Sequence, residues 1–198
     1  MTTASALFLL AGLTAAPPAH VWLDLAFDGW MPPRLEAAAM EEVTAIWSSY
    51  GVDVRRRDPG VAVREGAIAL DVVLEYDSSS AAVSGTLGSI RFLDSVPEPV
   101  IVMYPNTIAA LVQSVTLHGH AFNDWPFGFR DGILGRVFGR ALAHELGHFL
   151  LRSREHADEG LMQPRHDSTY LVAPDRRPFE LTKAEAARFV RGAAVSLP

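Results

Sequence analysis

Three residues of the segment His144-Glu145-Leu146-Gly147-His148 have the types and the spacing that a catalytic metal site requires. Residues four apart on a helix share one face, so His144 and His148 can direct both imidazoles at a single ion. Glu145 lies beside the first histidine, where its carboxylate can reach a water molecule bound to that ion. Because zinc lowers the pKa of its bound water to about 7, the pattern predicts hydrolysis by metal-activated water with Glu145 as general base.

The chain contains seven histidines and no cysteine. Disulfides, cysteine nucleophiles and thiolate zinc sites are therefore excluded. Any transition-metal chemistry must use imidazole and carboxylate ligands, and imidazole suits zinc. We expect Zn²⁺ as the cofactor.

The motif lies in the most periodic stretch of the chain, which predicts a helix over 132–151 with Asp131 as its N-cap. Small residues recur every four positions along this helix and indicate that a neighbouring element packs closely against it. These residues are Gly135, Gly139, Ala143 and Gly147.

After the helix come His156 and then Gly160-Leu161-Met162-Gln163-Pro164. Together with the preceding motif, these residues resemble the metzincin metalloproteases, whose extended motif supplies a third histidine and then a methionine in a tight turn beneath the metal. The resemblance is close over 139–164 and looser over the strand-helix-strand-strand order before it. It implies the following roles: His144, His148 and His156 as zinc ligands, Glu145 as catalytic base, and Met162 as the turn methionine.

The spacing after His148 departs from the metzincin pattern. Seven residues separate His148 from His156, whereas the family has five, and Leu151 stands where the family has a glycine. We therefore expect the helix to run about one turn further, before the chain reverses at Ser153 and Arg154. Other candidates for the third ligand remain open, with Glu185 the first of them: Glu155, Asp158, Glu159, His166, Asp167, Glu180 and Glu185.

Hydrophobic periodicity predicts a single α+β domain over 20–198. The predicted strands are 20–27, 52–56, 68–76, 86–93 and 99–104. The predicted helices are 34–50, about 106–118, 132–151 and 182–191, with a polar loop over 78–85 and an aromatic loop over 125–129. The resemblance implies a zincin-like mixed sheet with long helices, one of which carries the metal-binding motif.

Charge and hydropathy restrict the partners. The chain has 17 basic and 23 acidic side chains and a net charge of -6, so it lacks the basic surface that nucleic acid requires. We expect no nucleic-acid partner and no stable membrane span. The metzincin resemblance implies a peptide or protein substrate.

The first 19 residues carry no charged side chain, and residues 4–16 are apolar or small. This pattern is similar to the apolar part of a secretory signal peptide and is too short to span a bilayer. We expect residues 1–19 to be a signal peptide or an N-terminal extension, and the protein to be secreted or periplasmic. The alternatives are a misplaced start codon or a buried N-terminal strand or helix in a cytoplasmic protein.

Three further features have two interpretations each. His118 and His120, together with His166, would have a functional role, as a second metal site or as part of the cleft lining, or would be ordinary surface or hydrogen-bonded histidines. The aromatic loop would form a wall of the substrate cleft or a hydrophobic plug. The strand over 86–93 would be the sheet edge that receives an extended peptide, or an interior strand.

The sequence thus predicts a zinc-dependent endopeptidase of metzincin-like build. One alternative is a zincin-like binding or scaffold domain whose metal is structural or absent. The other is a metal-dependent hydrolase that acts on a substrate other than a peptide.

Overall fold

The computed structural model describes residues 20–193, which contain a mixed five-stranded sheet. Its strands are β1 (Val21–Asp28), β2 (Val52–Arg56), β3 (Ala67–Leu74), β4 (Gly88–Leu93) and β5 (Val96–Met103). They are ordered β2-β1-β3-β5-β4, and all run parallel except β4, which is antiparallel to β5 at one edge. The signal peptide predicted over 1–19 lies outside the described residues.

Six α-helices accompany this sheet within 20–193. They are α1 (Pro33–Ser48), α2 (Ser79–Ser84), α3 (Pro105–Gln113), α4 (Phe127–Leu151), α5 (Ser168–Val172) and α6 (Lys183–Ala193). The hydrophobic core lies between the sheet and the α1–α4 pair, where Leu23, Leu25 and Val72 of the strands are fully buried. The predicted α+β class with a mixed sheet and long helices is confirmed. Among the described helices, none combines the length and the apolar character needed to cross a membrane.

The small residues of α4 form the surface that contacts α1. A β-carbon at Gly135 would lie 2.5 Å from the Leu35 carbonyl oxygen, and one at Gly139 would lie 2.6 Å from the Ala39 carbonyl oxygen. One turn further on, the Trp47 indole N–H donates to the Ala143 carbonyl at 3.1 Å. Glycine is required at the first two positions because any larger residue would push the helices apart.

The start of α4 differs from the prediction. The helix begins at Phe127, not after Asp131, so most of the predicted aromatic loop forms its first turn. Trp125 is buried just before the helix and packs edge-on against Phe129, and the Arg130 guanidinium donates to the Trp125 carbonyl at 2.7 Å. These contacts stabilise a first turn that has no side-chain cap. The sequence therefore contains no capping residue that marks the true start of the helix.

Two other segments were predicted incorrectly. The polar loop over 78–85 contains the short helix α2, whose N-cap Ser78 accepts a hydrogen bond from the Ala81 amide. Helix α3 ends at Gln113 because the chain then forms the short hairpin of β6 (Thr116–Leu117) and β7 (His120–Ala121). His118 and Gly119 both adopt positive φ in its turn, a geometry typical of two-residue hairpins.

The end of α4 shows how this chain turns without the glycine of the metzincin pattern. The helix ends at Leu151, and Arg152 adopts the left-handed conformation with φ 49° and ψ 47°. The reversal therefore comes one residue before the predicted position at Ser153. The Ser153 amide donates back to the His148 carbonyl at 3.2 Å, which closes the helix end.

We expect Arg152→Gly to raise the free energy of unfolding by about 0.5–1 kcal/mol. A β-carbon in the left-handed region costs about 1–2 kcal/mol, and the greater freedom of glycine in the unfolded chain offsets part of that gain. Urea denaturation of the metal-free protein measures the change. Arg152→Ala is the matched control, since it removes the guanidinium and keeps the β-carbon, and it should give no gain. A glycine variant less stable than the wild type would contradict the assigned conformation.

Candidate metal centre

Three histidine rings converge at one point of the structure. Helix α4 presents His144 and His148 one turn apart, and the loop after the helix brings His156 against both. One ring nitrogen from each lies within 4.8 Å of the others. The ring centroids are 4.7 Å apart for the helical pair, and His156 stacks on His144 at 5.3 Å.

Backbone carbonyls orient the two helical rings. Nδ1 of His144 lies 2.8 Å from the Leu161 carbonyl oxygen, and Nδ1 of His148 lies 2.7 Å from the Ser153 carbonyl oxygen. A carbonyl oxygen can only accept, so each Nδ1 carries the hydrogen and each Nε2 presents a lone pair. Metal-bound histidines are commonly held by hydrogen bonds of this kind.

The two lone pairs face each other, with the Nε2 atoms of His144 and His148 3.1 Å apart. Two acceptors at this distance repel each other unless a cation lies between them. A tetrahedral zinc ion with Zn–N bonds of about 2.0–2.1 Å would hold its ligand nitrogens about 3.3 Å apart. The observed separation and the all-imidazole donor set therefore suit zinc.

The same rings are kept neutral by their surroundings. Burial lowers the pKa of His144 to about 3, against the opposing effect of its hydrogen bond to Leu161. Burial likewise lowers the pKa of His148. Neutral imidazole is the form that binds a metal, so at neutral pH the site loses no affinity to proton competition at these two rings.

Glu145 is buried beside the histidine cluster and faces the bare backbone of β4. A β-carbon at Gly88 would lie 3.0 Å from Glu145 Cγ and 3.4 Å from its Oε1. Burial raises the pKa of the Glu145 carboxyl to about 8. A cation held by the neighbouring histidines would oppose this effect and favour the carboxylate.

Met162 packs against Gly147, the residue that precedes His148 in α4. The turn from Gly160 to Gln163 is closed by a hydrogen bond from the Gln163 amide to the Gly160 carbonyl at 3.2 Å, and Gly160 has φ +78°. The thioether of Met162 is buried there, and a β-carbon added to Gly147 would overlap its Sδ. Gly147, the last small residue of the α4 series, thus leaves room for the Met162 side chain, which a larger residue at this position would force to move.

The alternative third ligands have other positions or partners. The Glu185 carboxylate accepts hydrogen bonds from the Thr182 amide and hydroxyl, both at 2.9 Å, at the start of α6. Asp167 caps α5 through the Thr169 amide. The remaining candidates are also outside the three-histidine cluster: Glu155, Asp158, Glu159, His166 and Glu180.

The other interpretations left open by the sequence are resolved by position. His118 and His120 are exposed on the β6–β7 hairpin, and within 20–193 they form no metal cluster with His166. His166 lines the histidine cleft, whereas His118 and His120 do not. No aromatic residue of the segment 125–129 lines the histidine cleft, so the segment is not a wall of that cleft. Trp125 is buried at the start of α4, whereas Phe127 and Phe129 are exposed, so the hydrophobic plug consists of Trp125 alone.

A cleft of about 890 Å³ gives access to the histidines. The strand β4 forms one wall, and the loop over 163–166 forms the other. Within the described sheet β4 pairs with β5 alone, so it is an edge strand with unpaired backbone groups on its free side.

Comparison with known proteins gives a structural match without a sequence match. No protein-family model matches the chain, and no curated protein matches it. The crystal structure of archaemetzincin from Methanopyrus kandleri superposes with a TM-score of 0.55 and 16% sequence identity, over 89% of this chain and 97% of that one. The chain has an archaemetzincin-like fold. The metzincin resemblance noted in the sequence is therefore confirmed for the fold.

A buried ion-pair network next to the histidine pair was not revealed by the sequence. Arg140, one turn before His144, has no exposed side-chain surface, and its Nε donates to Glu42 Oε1 of α1 at 2.7 Å. Its Nη2 also donates to the Asp175 carbonyl at 2.9 Å, and Arg176 bonds the second oxygen of Glu42. The network ties the chain beyond the methionine turn to both long helices. The sequence signal for this network was a charged residue at a position of the apolar face of each helix, Glu42 in α1 and Arg140 in α4.

Proposed function

We propose that this protein is a zinc-dependent metallopeptidase that hydrolyses peptide bonds. The observation that carries the proposal is the facing pair of Nε2 lone pairs on His144 and His148, 3.1 Å apart and each fixed by a carbonyl behind it. The archaemetzincin-like fold supports the same assignment.

His144, His148 and His156 would hold the zinc ion. When bound, zinc supplies a Lewis acid and a water nucleophile that is available at neutral pH. Glu145 is the general base: its carboxylate accepts the proton of the attacking water and delivers it to the leaving amide nitrogen. Its burial excludes bulk water from this transfer, and the absence of a side chain at Gly88 leaves room for the carboxylate beside β4.

The free edge of β4 would position the substrate. An extended peptide that adds to this edge forms backbone hydrogen bonds regardless of its side chains. Gly88 begins β4 and touches Glu145, so a peptide aligned with the strand passes the general base. This arrangement favours a peptide over a compact small-molecule substrate.

Removal of the metal tests the proposal. We expect the zinc-loaded protein to cleave casein or a mixed peptide library, to lose that activity after dialysis against a chelator, and to regain it with added Zn²⁺. Zinc should also raise the melting temperature, because a free zinc concentration of about 100 times Kd adds about 2.7 kcal/mol to the free energy of unfolding.

Two results would contradict the proposal. Stabilisation by zinc without cleavage of any peptide would indicate a structural metal. Cleavage that persists after complete zinc removal would exclude the metal-dependent mechanism. Mass spectrometry of the products identifies the bond that is cleaved and separates peptide hydrolysis from activity on other substrates.

A further inference from the structure

The cleft has the opposite charge to the rest of the protein. Its lining contains four arginines, and Glu145 is the one acidic residue in it. The whole chain has 17 basic and 23 acidic side chains. A cleft of one sign in a protein of the other sign raises the local concentration of ligands that carry the protein's own charge.

Three of these arginines remain available to a ligand, since Arg140 is buried in its ion pair with Glu42. The Arg154 guanidinium lies over the Phe92 ring at 5.0 Å, and its Nη2 donates to the Phe92 carbonyl at 3.1 Å. Within residues 20–193, Arg154 and the exposed Arg165 form no salt bridge. The Arg91 side chain is 79% exposed, although Glu98 contacts it at 2.9 Å.

The strand β4 sets the distance between the reaction centre and Arg154. Gly88 touches Glu145, and Phe92 touches Arg154. Residues in a strand rise by about 3.3 Å each, so these two contacts are separated by about 13 Å along the cleft wall. An extended peptide has the same rise, which places its side chain about four residues from the scissile bond beside Arg154.

We propose that the cleft selects peptides that carry a carboxylate about four residues from the scissile bond, on the side that lies towards Phe92. This inference rests on the proposed peptidase function. Arg154 is the principal contact, because it is held at the end of the cleft by β4 and has no acidic partner among the described residues. Arg165 and Arg91 strengthen the attraction from the two walls.

The carboxylate has two sources, an acidic side chain within the peptide or the free C-terminus of a short peptide. Two matched pairs of fluorogenic peptides separate these sources. The members of the first pair have Glu or Gln at the fourth residue from the scissile bond, tested on either side of that bond. The members of the second pair end at the fourth residue after the scissile bond, one in a free carboxylate and the other in an amide. We expect kcat/KM to be about 5- to 20-fold higher for the carboxylate member of at least one pair, and the pair that differs identifies the source. Several exposed ion pairs acting together give a preference of this size, and raising the salt from about 50 to about 500 mM should reduce it.

Charge reversal locates the effect. Arg154→Glu and Arg165→Glu should each remove or invert the preference. Arg34→Glu, an exposed position on α1 outside the cleft, makes the same change in net charge and should preserve it. Arg154→Lys should retain the preference, which shows that the charge matters and not the contact with Phe92.

A second measurement does not depend on turnover. Fluorescence anisotropy of labelled, uncleaved peptides on the Glu145→Gln variant should show tighter binding of the carboxylate member, by a similar factor. Equal kcat/KM and equal binding within both pairs would overturn the acidic preference while leaving the peptidase function intact. Tighter binding of the carboxylate peptides without cleavage by the wild type would support the charge selection and contradict the proposed function.

Discussion

The Glu145→Gln variant is expected to bind zinc as the wild type does and to lose about 10²- to 10⁴-fold in kcat/KM, the usual contribution of a general base. Glutamine has the shape of glutamate, so the contact with Gly88 and the packing around α4 are preserved. The amide cannot accept the proton, and this single function is removed. Metal content by atomic absorption and cleavage of a fluorogenic peptide measure the two effects on one preparation.

The matched control is Glu159→Gln, which makes the same chemical change at an exposed position of the loop outside the histidine cluster. It should leave both zinc content and kcat/KM unchanged. A fully active Glu145→Gln variant would show that another group accepts the proton. Loss of zinc from this variant would show that Glu145 is itself a ligand.

The second large effect concerns the third ligand. Loss of a residue that only hydrogen-bonds a metal ligand weakens metal binding by about 10- to 100-fold. We expect His156→Ala to weaken zinc binding by more than this, because His156 would supply one of the three coordinating nitrogens. The Glu185→Ala variant should bind zinc normally. It should instead lose about 1 kcal/mol of folding stability, because Glu185 and Thr182 form a capping box at the start of α6.

Competition with a chromophoric chelator gives the zinc affinity of both variants, and urea denaturation of the metal-free proteins gives their stability. The two substitutions are expected to act on different quantities, so each serves as the control for the other. Tight, stoichiometric zinc in His156→Ala would remove this histidine from the site. Weak zinc binding in Glu185→Ala would support Glu185 as a zinc ligand.

The part of the site that depends on local helix geometry could be predicted from the sequence. A spacing of four places two side chains on one helical face, and α4 brings the Nε2 atoms of His144 and His148 together as that rule requires. His156 and Met162 could be named through the metzincin resemblance. Residue spacing does not show that their loop, two residues longer than the family pattern, still reaches the helix.

The contacts that could not be predicted join residues far apart in the chain. The Leu161 and Ser153 carbonyls that orient the histidines are backbone atoms, which leave no mark in the sequence. Glu42 and Arg140 pair across 98 positions, and nothing local indicates that each has a partner. Arg152 ends α4 in a conformation that usually calls for glycine, so the usual stop signal is missing.

The edge position of β4 is a property of the sheet order. A strand with the same residues in the interior of the sheet would show the same alternation. The position of β4 as a wall of the cleft, and the grouping of arginines along that cleft, therefore depend on the three-dimensional arrangement of β4 and the histidine loop. In the proposed function, these two features would determine which substrates reach Glu145.

The most direct test of the central claim is the anomalous diffraction of a zinc-loaded crystal, measured on both sides of the zinc absorption edge. We predict one strong peak about 2.0–2.1 Å from Nε2 of His144, from Nε2 of His148 and from a ring nitrogen of His156. A peak elsewhere in the protein, or full zinc occupancy with the two helical Nε2 atoms uncoordinated, would contradict the assignment of these histidines as a catalytic metal site.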